Sequence, residues 1–183
     1  MSDASPSRIG RAVALCLALC ASAMIPAAYA QTPDIARAQA MAAPHLDDHP
    51  LALFQTAITA FDADARAEST FLFYLGQKRW RRYIAARPDL PPDQDRALLG
   101  SLLDVFGRPL TEWAFGDIDW LVGVLQAVAA YDAAQPDPMT PRAVYPEAHA
   151  ASHSDFAGFI DHVVENADDI RAGRRANGLE NRR

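Results

Sequence analysis

From Pro50 onward, apolar residues recur at intervals of three and four, the spacing that places them on one face of an α-helix. Leu51, Phe54, Ile58 and Phe61 mark a first helix, with Asp48 as its N-cap and Pro50 in the opening turn. A second runs from about Ala65 to Ala86 and carries two adjoining apolar rows, Phe71 and Leu75 beside Phe73, Gly76, Trp80 and Ile84. Glycine within a helix costs about 1 kcal/mol relative to alanine, so Gly76 points to close approach of a neighbouring helix or to a kink. Arg87-Pro88 ends this segment, because a residue before proline avoids the helical region.

Pro92 and Asp93 open a third helix with Leu98, Leu99, Leu102, Leu103 and Phe106 as core positions and Gly107 and Pro109 as its stop. Thr111 to Phe115 reads as a single turn broken by Gly116. Asp117 caps a fourth helix carrying Trp120, Leu121, Val124, Leu125, Val128 and Tyr131, followed by a linker punctuated by Pro136, Pro138 and Pro141. Ser154 caps a fifth, with Phe156, Phe159, Ile160, Val163, Val164 and Ile170 inside and Gly173 or Gly178 at its end. No alternating run bounded by turn residues signals a strand. The pattern therefore predicts an all-α fold, a compact bundle of about five helices.

The first thirty residues follow another logic. Arg8 and Arg11 precede an apolar stretch from Ala12 to Ile25, Pro26 interrupts it, and Ala28-Tyr29-Ala30 supplies the small-x-small pattern of a cleavage site. This is the form of a secretory signal peptide, and the stretch is too short for a secure membrane span. Cys16 and Cys20 are preceded by Leu15 and Leu19, which argues against lipid attachment. The organisation expected is a signal peptide over 1–30, an irregular arm over 31–49 in which Asp34 to Ala43 can form a brief helix, a helical domain over 50–176 and a basic tail over 177–183. Both cysteines of the chain fall inside the signal. The remainder therefore has no disulfide, thiol nucleophile or iron–sulfur cluster, and an exported domain of this kind depends on its own core. The destination expected is the periplasm or the exterior.

Cleavage removes Arg8, Arg11 and Asp3, which moves the formal charge from −6 for the whole chain to −7. A net acidic chain is a poor nucleic-acid binder. The charge is unevenly spread, with a basic stretch at Arg66, Lys78, Arg79, Arg81, Arg82 and Arg87 and a basic tail from Arg171 to Arg183. Acidic groups gather at Asp117, Asp119, Asp132 and Asp137, and again from Asp161 to Asp169. Solvated helix faces explain such runs, and a basic strip that docks an acidic partner or membrane headgroups is the alternative.

Candidate chemistry is sparse. His45 and His49 are four residues apart, as are His149 and His153, with His162 beyond. That spacing suits a metal on a helix, but prolines flank the first pair and the second falls in the expected linker, so exposed histidines are the reading and no metal or cofactor is expected. Glu112, Asp117 and Asp119 stand beside Trp113 and Trp120, a composition that invites a sugar-cleaving pair of carboxylates. Capping explains Asp117 more simply, and no nucleophile elbow or phosphate loop appears. Gln77 and Arg79, polar residues beside a close-packing glycine, are candidates to hold a hydrogen-bond network or to face a partner.

Phe71 to Arg79, F-x-F-Y-x-G-Q-x-R, resembles a segment of a family of small exported proteins of Gram-negative bacteria, with Leu72 where that family has a second aromatic. Gly107 to Asp117, G-x-P-L-x-E-x-A-x-G-D, and the tail from Ile170 to Arg182 are similar as well. The resemblance implies an exported helical protein and no reaction. The resulting expectation is a non-enzymatic protein that binds another protein, an immunity-type role being one version, through Gln77, Arg79, Glu112 and Asp117. The rival is a periplasmic hydrolase or metal-binding protein using Glu112, Asp117 and the histidines.

Overall fold

Arg66–Ala85 forms the central helix, α3, against which the rest of the chain is assembled in this computed structural model, which describes residues 32–182. Phe71, Leu72, Phe73, Tyr74, Leu75 and Trp80 are all buried, so α3 is covered on nearly every side. The helices in chain order are α1 (Pro33–Ala42), α2 (Leu51–Asp62), α3, α4 (Ala97–Leu102), α5 (Arg108–Ala114), α6 (Ile118–Ala134), α7 (Pro146–Glu165) and α8 (Ala167–Ala176). α1, α2, α5, α6 and α7 all touch α3. The fold is an all-α bundle, and no strand occurs among the described residues. The expected export signal lies outside them.

The α2–α3 contact explains Gly76. A Cβ there would stand 2.9 Å from Phe54 Cδ2 and 3.2 Å from Leu53 Cβ, so glycine permits the two helices to meet, and α3 runs on without interruption. Ser69 Oγ donates to the Ala57 carbonyl at 2.7 Å across the same interface, satisfying a buried hydroxyl.

Several boundaries differ from the pattern's prediction. The brief helix allowed within the arm is present as α1, capped by Thr32, but its Ile35, Ala38 and Ala42 join the core, so residues 33–42 belong to the bundle and not to an irregular arm. α2 starts at Leu51 after Pro50, and the Leu51 amide donates to His49 Nδ1, so Asp48 is not its cap. Gly107 and Pro109 do not stop the third helical stretch. A π-helical turn at Leu103–Gly107 leads straight into α5, a second one at Pro92–Arg96 precedes α4, and Pro109 sits in the first turn of α5, where a missing N–H is tolerated. Leu98 is correspondingly outside the core, 42% exposed. Ser154 lies in the middle of α7, which starts at Pro146, and α8 is a separate helix closed by Gly178 at φ 72°.

α6 is capped as expected: the Asp117 side chain accepts from the Trp120 amide at 3.1 Å. The tail is tied back as well. The Arg182 amide donates to the Gly116 carbonyl at 2.6 Å, and its guanidinium lies 4.2 Å over the Trp113 ring.

Candidate functional site

α3 presents two chemistries on adjoining turns: a buried charge network toward α6 and an open cleft toward α5 and α7. The network centres on Asp132. Lys78 Nζ, Arg79 Nε and Arg82 donate to its two oxygens at 2.8, 2.9, 2.8 and 3.1 Å, Arg82 in a bidentate pair. Arg82 also meets Asp137, which accepts from Thr140 Oγ1 in a short hydrogen bond. Burial opposes ionisation of Asp132, but Arg82, Lys78 and Arg79 outweigh it and hold the carboxyl well below the usual carboxylate range. Burial likewise opposes the Arg82 charge, and its ion pairs with Asp132 and Asp137 still raise its pKa.

This network corrects the reading of the basic stretch. Lys78, Arg79 and Arg82 are each 6% exposed or less, so they form neither a solvated face nor a docking strip. The acidic residues Asp132 and Asp137, about fifty positions along the chain, are their internal partners. Arg79 also donates to the carbonyls of Leu46 and Pro136, and Arg87 to that of Met139. The cations of α3 thus pin the proline-rich linker and the segment before α2. His149 completes the arrangement with its Nε2 2.7 Å from the Thr140 carbonyl. A carbonyl only accepts, so Nε2 carries the proton, and burial lowers the pKa of the ring. Arg79 is therefore a network residue, the first of the two roles its position allowed.

Gln77, one residue before Lys78, lies half-buried in the other surface of α3. It lines a cleft of about 610 Å³ whose apolar wall comprises Phe73, Tyr74, Leu103, Phe115, Phe156 and Phe159. That volume lies within the range of small-molecule sites, about 300–1,000 Å³. The π-helical turn at Leu103–Gly107 forms one side, and π turns inside helices frequently accompany functional sites. Gly107 lets this turn settle on the floor, since a Cβ there would come within 3.1 Å of Phe73 Cζ.

The cleft's polar groups are few. Tyr74 is 2% exposed and its hydroxyl is the one buried side-chain polar atom without a hydrogen-bond partner among the described residues. Burial pushes this phenol far above its ordinary pKa, so it stays neutral. Lys78 and Ser152 meet at the back, with Lys78 held by Asp132. Arg81, Arg108 and Asp155 are exposed at the edge, and none of the three makes an ion pair among the described residues.

Glu112 and Asp117 do not join this cleft. The Glu112 side chain is exposed, and only its carbonyl is engaged, accepting from Arg174. Asp117 caps α6 and borders a second, more open hollow with Trp113, Trp120 and Arg182. The charges around that hollow are paired with one another: Arg37 with Asp34 and Glu68, and Arg66 with Asp64. The histidines are dispersed. His45 meets Asp48, His49 meets Asp95 between the rings of Trp80 and Tyr83, and His162 contacts Asn166. No group of three metal-ligating side chains occurs among the described residues. No described helix is long and apolar enough to cross a membrane.

Gln77, singled out in the sequence as a polar residue beside a close-packing glycine, lines this cleft, whose walls come from three distant segments and so leave no local pattern in the sequence. No protein-family model, curated protein or solved structure matches this chain.

Proposed function

We propose that this chain is an exported, non-enzymatic protein that acts by binding, and that the cleft between α3, α5 and α7 receives a small apolar ligand. The observation that carries this reading is a roomy cleft of about 610 Å³ walled by aromatic side chains. Gln77, half-buried in the same wall, supplies an orienting amide. Export is supported by the N-terminal charge, apolar stretch and small-x-small pattern, and by the resemblance to exported helical proteins.

Nile red, a neutral solvatochromic dye, tests the reading. One saturable site per chain, abolished by Thr111→Trp across the cleft in a variant that keeps its helicity and unfolding midpoint, is expected. Absence of saturable uptake, or uptake unaffected by that substitution, contradicts it.

A second reading keeps the protein partner expected from the sequence, with an immunity-type role as its concrete form. Val105, 79% exposed, and Leu98, 42% exposed, favour it, since both stand unpacked on the helical stretch that walls the cleft. Apolar anchors of this kind are what a partner protein covers.

A further inference from the structure

We infer that the ligand of this cleft is an amphiphile whose polar end is a carboxylate, with its hydrocarbon among the phenylalanines and its anion beside Arg81 and Arg108. The inference rests on the proposed binding role of the cleft and adds the chemical class of the occupant. Two structural arrangements carry it.

The first is the division of polarity within the cleft. Phe73, Phe115, Phe156, Phe159 and Leu103 line the apolar part of the cleft, whereas the formal charges of the edge reside on Arg81, Arg108 and Asp155. An occupant that matches both has a long apolar body and one charged end.

The second is the state of those charges. Lys78 also borders the cleft, but Asp132 holds its ammonium at 2.8 Å, so it is committed to the fold. Arg81 and Arg108 have no ion-pair partner among the described residues, and they outnumber the single acidic group, Asp155. In a chain of net charge −6 this edge is a local excess of positive charge. Guanidinium groups favour carboxylates through their forked donors. A neutral amphiphile would fill the same wall and leave both arginines as they are. A cationic one would meet them unfavourably.

Dodecanol below its solubility limit and dodecanoate below its micellar concentration, each titrated by Nile red displacement from the purified protein, separate the possibilities. Dodecanoate is expected to bind about tenfold more tightly at low salt, an exposed charge contact giving up to about fivefold for each arginine. Salt should narrow that preference, because the contacts are partly solvated. Arg81→Gln combined with Arg108→Gln should weaken dodecanoate and bring the two ligands within about twofold of each other. Asp155→Asn should tighten dodecanoate alone. These three residues are exposed, so the variants keep the core intact. Equal affinity of the native protein for the two ligands, or a preference that survives loss of both arginines, overturns the inference while the binding role stands. Failure of both ligands to displace the dye overturns the binding role as well.

Discussion

Arg82 grips Asp132, fifty positions further along the chain, through two parallel hydrogen bonds of 2.8 and 3.1 Å, with both side chains almost wholly buried. The pair fastens α3 to the end of α6. Because Lys78 and Arg79 share the same carboxylate, its removal would leave those two buried cations without an ion pair and Arg82 with Asp137 alone. Asp132→Ala is expected to cost about 3–5 kcal/mol, the range for breaking one partner out of a buried pair. Urea unfolding followed by circular dichroism measures it, and a loss below about 1 kcal/mol would show that water reaches the site.

The same carboxylate sets an acid limit on stability. Its folded pKa is depressed, so its contribution is complete above the unfolded value of about 3.9 and disappears as pH falls through the folded value. Urea midpoints should therefore decline steeply below about pH 4. An Asp132→Asn variant that still folds should show a shallower decline. Equal slopes would remove Asp132 from the explanation.

Two classes of glycine should respond in opposite directions to alanine. At Gly76 the new methyl meets Phe54 and Leu53 at 2.9 to 3.2 Å, and overpacking of about 1–3 kcal/mol outweighs a helix-propensity gain of about 1 kcal/mol. At Gly158 and Gly173 nothing lies within 4 Å of the added carbon, so each substitution should stabilise by about 0.5–1 kcal/mol. Denaturation midpoints of the three variants check the contrast.

Removal of residues 179–183 should loosen the α5–α6 corner. The truncation deletes the Arg182 contacts to Gly116 and Trp113 and the Asn181 bond to the Arg171 carbonyl. A loss of about 1–2 kcal/mol is expected from these partly exposed contacts, with a shift in the fluorescence of the Trp113–Trp120 pair. Unchanged emission and stability would show that the tail is dispensable.

The parts of this fold legible in the sequence are those fixed by local chemistry. Arg87-Pro88 ends α3 near the expected place, Asp117 caps α6, and Gly76 announces a close helix crossing. Pro109 misled because a π turn before it lets the chain continue helical, an accommodation that no periodicity encodes. The charges misled for another reason. A run of arginines reads as solvent-facing unless its partner is known, and Asp132 and Asp137 reach it only through the tertiary arrangement of α3 and α6. Of the four candidate binding residues, Gln77 lines the cleft, Arg79 belongs to the buried network, and Glu112 and Asp117 lie away from the cleft.

The binding role of the cleft is tested most directly by amide chemical-shift mapping of the isotopically labelled protein during titration with dodecanol. Saturable shifts confined to three segments are expected, around Gln77 on α3, from Leu103 to Phe115, and from Ser152 to Phe159 on α7. Shifts centred on Trp113 and Trp120 at the second hollow, or weak shifts scattered without saturation, would contradict it.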